Sequence, residues 1–165
     1  MNQEITQAEL KKDFLYDPDT GVFTRIIRRG KAETRVCNCK TAAGYVLIGY
    51  KCKRHYAHRL AFVYMTGDWP IGEVDHINNI PDDNRFSNLR EATRRQNCAN
   101  MAARVTSRSG VKGVYFTHNC PLNPWRAEIY LGRNIFLGNF PTIEAASNAY
   151  AKAALQEHGE FAKYG

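Results

Sequence analysis

The sequence has no long apolar run. No stretch approaches the roughly 18 consecutive apolar residues that a membrane-spanning helix requires. The first residues, Met-Asn-Gln-Glu-Ile, also lack the basic and then apolar layout of a secretory signal peptide. We therefore expect a cytoplasmic protein with no membrane partner.

Cysteine is present but not in pairs that suggest a framework. The five cysteines are an odd and unevenly spaced set: Cys37, Cys39, Cys52, Cys98 and Cys120. A chain of this kind is not expected to carry structural disulfides, so free thiols are the favoured interpretation. Zinc held by the first three is the less favoured alternative, because structural zinc sites usually use C-x2-C pairs and none is present.

Acidic residues are scarce in one segment. The whole chain has 23 Lys and Arg against 16 Asp and Glu, a formal charge of +7 and a pI of about 9.3. Between Arg25 and Arg54 there are nine basic residues and one acid, Glu33. Such a concentration indicates a partner rich in phosphate, although a solvated charged surface is the alternative.

Local patterns in the first half predict mixed helices and strands. A short helix is expected over 6–15, followed by a turn at 16–21 and an extended segment over 22–24. Strand-forming residues at 44–50 and 54–57 predict a hairpin. A helix over 58–66 would end at Gly67, a residue typical of helix C-termini.

Two further blocks follow. Strands at 74–79 and 86–89 around a turn at 81–84, with a helix over 91–101, form a ββα unit. Residues 103–110 have the composition of a linker. Beyond them, the sequence predicts strands at 113–117, 125–131 and 134–138, and then a helix capped by Thr142 that stops at Gly159.

Several spaced motifs carry a family resemblance. They are His58-Arg59-Leu60, Val74-Asp75-His76, Asp83-Asn84, Asn88-Leu89-Arg90 and Gln96-Asn97. In order and spacing they resemble the HNH nucleases, specifically the homing-endonuclease branch of phages and bacteria. The resemblance is close over about residues 55–100.

The resemblance assigns roles that fit the chemistry of phosphodiester hydrolysis, which needs a base for water and a cation for the developing charge. It implies Asp75 and Asn97 as metal ligands, His76 as general base, and Asn88 as a residue that braces the loop and orients His76. The family often has His where this chain has Asn97. Two oxygen ligands suit Mg²⁺ or Mn²⁺. His58 is expected to pack beside the site, with a supporting role as the alternative.

Residues 110–161 resemble the DNA-binding domain of plant ethylene-response factors. The matching stretches are Gly113-Val114-Tyr115, Trp125 to Ile129, Phe136 to Phe140, Ala145 to Tyr150 and His158 to Phe161. That family lays its three-stranded sheet into the DNA major groove. By this resemblance the outward residues are Tyr115, Thr117, Arg126, Glu128, Tyr130, Asn134 and Phe136. Arg126 and Arg133 are the expected phosphate or guanine contacts.

The resemblance to the plant domain predicts a DNA-binding face but does not predict which DNA sequence it reads. Where the plant domain has arginines on this face, the chain has Tyr115, Tyr130 and Asn134, so the plant target sequence does not carry over. A domain kept only for stability is the alternative.

Further DNA contacts are expected from the basic segment and the start of the helix over 91–101: Arg28, Arg29, Lys51, Lys53, Arg54, Arg94 and Arg95.

Together these features predict an α+β protein with two domains. Residues 1–102 would form a basic region and a ββα-metal nuclease, 103–110 a linker, and 111–165 a small three-stranded antiparallel sheet with one packed helix. The expected function is a monomeric, site-selective homing endonuclease, encoded by a phage and acting in the bacterial host. It would nick one strand of double-stranded DNA and take no small-molecule substrate. A restriction or host-defence nuclease is one alternative, and a transcriptional regulator with an inactive HNH remnant is another.

Overall fold

The computed structural model divides the chain into two compact units, Met1–Thr93 and Arg94–Gly165. It describes residues 5–28, 33–101, 103 and 107–163. Arg29, one of the predicted DNA contacts, lies outside the described residues. Within them, no helix combines the length and the apolarity that crossing a membrane would need.

The first unit opens with a short helix and a three-stranded sheet. Helix α1 (Gln7–Asp13) begins where predicted, because the Thr6 side chain caps its amino end in a reciprocal pair with Glu9. Strands β1 (Phe14–Tyr16), β2 (Phe23–Ile27) and β3 (Glu33–Val36) follow as an antiparallel sheet in that order. The sequence predicted only the start of β2.

A second antiparallel sheet contains the predicted hairpin. Its strands, in sheet order, are β4 (Cys39–Lys40), β5 (Val46–Tyr50) and β6 (Lys53–Tyr56). Lys51 and Cys52 connect the last two strands with φ values of 47° and 61°, as a tight two-residue turn requires. Helix α2 (Ala57–Thr66) then ends at Gly67, whose φ is 93°, so both the hairpin and the helix are confirmed.

The core of this unit joins the helices to the first sheet. Leu10, Phe14, Phe23, Leu60 and Val63 are essentially inaccessible to solvent. The rings of Phe14 and Phe23 meet edge to face, with centroids 6.4 Å apart. Burial of these side chains packs the first sheet and α2 around one hydrophobic core, and the polar loops lie outside it.

The last strand pair of the unit is β7 (Glu73–His76) with β8 (Leu89–Ala92). The prediction of a return strand over 86–89 was wrong for its first three residues. Phe86–Asn88 is a 3-10 turn, because the Asn88 amide donates to the Arg85 carbonyl and the Leu89 amide to that of Phe86. The strand predicted over 74–79 is also shorter, since Asn79 turns back with a φ of 61° and donates to the His76 carbonyl.

The second unit confirms the predicted sheet and helix. Strands β9 (Val114–Phe116), β10 (Trp125–Tyr130) and β11 (Asn134–Phe140) are antiparallel with β10 in the centre, and α4 (Ile143–His158) packs on them. The packing is close at Gly113, where an added Cβ would lie 2.2 Å from the Tyr150 ring. Over the described residues the fold is therefore mixed, with four α-helices and small antiparallel sheets.

Helix α3 (Arg94–Asn100) also belongs to the second unit. The ammonium group of Lys112 fixes its carboxyl end by donating to the carbonyls of Cys98, Ala99 and Met101 at 2.7, 2.8 and 3.0 Å. A cation here satisfies carbonyls that have no partner within the helix and matches the negative end of its dipole. The linker at 103–110 stays a prediction.

Replacing Lys112 with Met keeps an unbranched side chain of similar length and removes the three donated bonds. The hydrogen bonds that this ammonium group donates should together stabilise the end of α3 by about 2 kcal/mol. Without them, the backbone amides of α3 should exchange with solvent about 30-fold faster, as measured by hydrogen exchange. Lys152→Met, at an exposed position on α4, is the control and should leave α3 unchanged. Equal protection of α3 in wild type and the Lys112 variant would contradict this role.

Candidate functional site

Asp75 and His76 are adjacent on β7, and both are buried, with 3% and 6% of their surface exposed. Neighbouring residues of a strand point to opposite faces, so the two side chains have separate surroundings. Asp75 lies opposite Arg90 of β8, whose Nε donates to Asp75 Oδ2 at 2.9 Å. The cross-strand register thus supplies the cation that a buried carboxylate needs.

The imidazole of His76 is held through its Nε2 atom. Its Nε2 lies 3.1 Å from Oδ1 of Asn84, while the Asn84 amide nitrogen donates to the Asp82 carbonyl at 3.3 Å. With Oδ1 as the acceptor, Nε2 carries the proton and the lone pair lies on Nδ1. Burial lowers the pKa of His76, opposed by the hydrogen bond to Asn84 and the charge of Asp75. The ring is therefore neutral at neutral pH.

Asn84 is itself locked in place by the first sheet. Only 2% of it is exposed, and the Tyr16 hydroxyl donates to its carbonyl at 2.7 Å. Gly21, with φ of 73°, brings its backbone so close that a Cβ there would lie 2.4 Å from both Asn84 C and Arg85 N. The turn after β1 therefore supports the loop that orients His76. The sequence placed Asn84 in a motif but assigned it no role.

Asn88 closes the same loop from its other end. Its Nδ2 donates to the Asp83 carbonyl at 2.8 Å and to Oδ1 of Asn78 at 3.0 Å, while its own Oδ1 accepts from the Asn78 amide at 3.1 Å. Asp83 also pairs with both donors of Arg85, which, together with the Asn78 amide, lowers its pKa to about 2. These hydrogen bonds are of the kind that the predicted bracing role of Asn88 requires. The bond to the Asp83 carbonyl holds the residue before Asn84, and Asn84 contacts His76.

His58 packs against the site. Its ring stands edge-on to His76, with centroids 5.0 Å apart, and stacks on Tyr56 at 5.3 Å. Burial, then the charges of His76 and Arg59, lower its pKa to about 3, so it is neutral. Among the described residues its Nδ1 has no hydrogen-bond partner. These contacts agree with the packing interpretation.

The predicted ligand Asn97 lies on α3, in the second unit. Its role stays a prediction, as does the DNA contact of its neighbours Arg94 and Arg95. Arg95 lies 3.9 Å from the carboxylate of Glu157. No cluster of three or more His, Cys, Asp or Glu that fits a metal occurs in the described part of the chain. A carboxylate and an amide oxygen are nonetheless the hard donors that Mg²⁺ prefers.

Two predicted DNA contacts in the basic segment have acidic partners that the sequence count did not reveal. Arg28 donates to Asp13 at 3.2 Å and also to the Lys12 carbonyl. Lys51 lies 2.5 Å from Glu9 and lowers the pKa of that carboxyl to about 2. Both acids come from α1, outside the segment, so part of its +8 charge is balanced within the protein. Lys53 and Arg54 are exposed on β6.

The sheet of the second unit exposes a face away from α4. Tyr115, Tyr130 and Phe136 are each more than half exposed there, as predicted. Arg126 lies over the Phe136 ring at 4.8 Å and donates to Glu128 at 2.6 Å. Three other predicted contacts complete this description: Asn134, opposite Tyr130; Arg133, exposed in the β10–β11 turn; and Thr117, half-buried after β9.

Comparison with protein families identifies one match. The family model described as HNH endonuclease matches residues 55–99, which run from β6 through α2, β7 and β8 into α3. This range contains Asp75, His76, Asn84 and Asn88. Searches of curated proteins and of solved structures found no match. The family match indicates a nuclease that acts on DNA.

The support of Asn84 by Gly21 predicts a specific loss on mutation. Gly21→Ala combines about 1 to 2 kcal/mol of backbone strain with an overlap that costs a similar amount. The free energy of unfolding should fall by roughly 3 kcal/mol, measured in urea by the fluorescence of Trp69 in a Trp125→Phe background.

Gly67→Ala is the matched control. Gly67 also has positive φ, but a Cβ there meets only the Gln7 side chain at 3.9 Å. Strain alone should cost it about 1 to 2 kcal/mol. Equal losses in the two variants would show that the contact with Asn84 and Arg85 has no energetic consequence.

Proposed function

We propose that the protein is a metal-dependent, site-selective DNA endonuclease, and specifically a phage-encoded homing endonuclease. The observation that carries this proposal is the buried Asp75–His76 pair on β7, in which Asn84 fixes the tautomer of His76. A pair of residues in a surface turn would not be buried, and the hydrogen bond to Asn84 gives His76 a defined basic nitrogen. The HNH match covers the same residues.

His76 acts as the general base in this mechanism. Its Nδ1 takes a proton from a water molecule, and the resulting hydroxide attacks the phosphorus as the bond to the leaving oxygen breaks. The imidazolium that forms keeps its Nε2 bond to Asn84 and is stabilised by the charges of Asp75, Asp82 and Asp83. Proton transfer therefore needs no movement of the loop.

Asp75 would be a ligand of the cation, Mg²⁺ or Mn²⁺. When bound, it supplies positive charge to the phosphate and to the leaving oxygen. Asp75 suits this role because β7 and Arg90 hold its carboxylate in a single orientation. The exposed face of Tyr115, Tyr130 and Phe136 would select the DNA sequence, since aromatic and polar groups on a sheet fit the width of the major groove.

Cutting should require a divalent cation and both residues of the pair. His76→Ala and Asp75→Ala should each reduce cleavage by at least about a hundredfold, the range typical of a lost general base or a lost cation ligand. Binding of duplex DNA, measured without divalent cation, should stay within a few-fold of wild type. His118→Ala, at an exposed histidine outside the site, should cut normally. Full activity of either variant would overturn the assignment.

A single site per chain should nick one strand. With supercoiled plasmid that carries the target, and enzyme below the substrate concentration, open circles should accumulate before linear DNA appears. The reason is that the chain contains one Asp75–His76 pair, and a second cut needs a second site. Linear DNA from the first time points, formed at a rate that rises as the square of enzyme concentration, would instead show that paired molecules cut both strands.

A further inference from the structure

Two arginines that were not among the predicted DNA contacts face each other across the first sheet. Arg25 of β2 and Arg35 of β3 are directly opposite in the antiparallel register, and both are exposed. Like charges in this arrangement repel and destabilise a strand pair. In the described part of the chain, no carboxylate lies within salt-bridge distance of either guanidinium. The pair therefore costs stability in the free protein.

Arg25 is also held in position. Its guanidinium lies over the ring of Phe14, 5.2 Å from the centroid, and Phe14 is completely buried. A cation on a rigid aromatic base loses little freedom when it binds an anion. Both arginines act on the same neighbour, Cys37: burial raises the pKa of its thiol, and the charges of Arg25 and Arg35 oppose that rise. Arg25, Arg35 and Cys37 also line the same cleft.

This open cleft of about 610 Å³ lies between the first two sheets. We call it the arginine cleft. Its walls include Arg25 and Arg35 on one side and β5 residues Leu47 to Gly49 on the other. The cleft is open at Gly49, which has no side chain and where nothing lies within 4 Å of the position that a Cβ would take. Arg28 also lines the cleft, but its charge is matched by Asp13.

We propose that the arginine cleft binds the sugar-phosphate backbone of duplex DNA, with Arg25 and Arg35 donating to one phosphate between them. A shared phosphate turns a repulsive pair into two charge-assisted contacts, and guanidinium matches phosphate oxygens in a forked geometry. Contacts of this kind position a protein on DNA without reading its sequence. The inference rests on the proposed function only in taking DNA as the ligand.

The experiment measures how the affinity for a short duplex depends on salt, in the His76→Ala background and without divalent cation. Each phosphate contact contributes about 0.9 to the slope of log K against log salt concentration. The double variant Arg25→Gln with Arg35→Gln should therefore lower the slope by about 0.9, because the two arginines share one phosphate, and by the same amount for unrelated duplex sequences. An unchanged slope would overturn the proposal.

Lys11→Gln with Lys12→Gln is the matched control. It removes the same charge from the same unit, at exposed positions of α1 outside the cleft, so the slope should stay close to the wild-type value. A similar fall in both double variants would mean that only net charge matters, which would also overturn the proposal.

A stability measurement separates binding from structure. Because the arginines repel in the free protein, Arg35→Gln should not lower the thermal midpoint, although it weakens DNA binding. A lower midpoint together with weaker binding would indicate a structural role instead. Inorganic phosphate is the second arm: if it raises the wild-type midpoint while the double variant keeps its salt slope on DNA, the cleft takes a free anion and not the DNA backbone.

Failure of this proposal differs from failure of the nuclease assignment. A protein that shows the expected loss of slope but never cuts with Mg²⁺ or Mn²⁺ has the arginine cleft without the activity. A protein that cuts, but keeps its slope in the double variant, has the activity without the cleft.

Discussion

Two polar side chains buried side by side on a four-residue strand need partners, and those partners shape the surrounding structure. Arg90 reaches Asp75 across the β7–β8 ladder, and Asn84 reaches His76 from the loop between the strands. The loop has to be rigid for this, because an unpaired buried histidine or carboxylate would cost more than a short strand pair contributes. Asn88 closes the loop at one end, and Tyr16 and Gly21 support it from the first sheet.

The support of the loop by Tyr16 and Gly21 explains why the site depends on the first sheet as well as on the matched range. The matched family range begins at residue 55, yet the supports of Asn84 come from residues 16 to 21. Those residues are fixed in turn by the aromatic core around Phe14 and Phe23. The N-terminal part is therefore a structural requirement of the site as well as a source of basic charge.

The sequence predicted best those features that depend on near neighbours. The alternation along β10 and the Thr142 cap of α4 are local, and both are present. The 3-10 turn at Phe86–Asn88 was missed because it is set by hydrogen bonds that close it on Arg85 and Phe86, which the residue types alone do not reveal. The role of Asn84 was missed for a related reason: the hydroxyl that fixes it lies 68 positions away in the chain.

Charge was the least predictable property, because a count along the chain ignores partners that folding brings together. Arg28 and Lys51 meet acids of α1, whereas Arg25 and Arg35 meet each other. Pairs of the first kind stabilise the free protein slightly, since exposed ion pairs are worth little. A pair of the second kind opposes folding, and the phosphate proposed to lie between the two guanidinium groups would remove that repulsion. On this proposal, a repulsive pair marks a position of the DNA backbone that a count of basic residues along the chain did not single out.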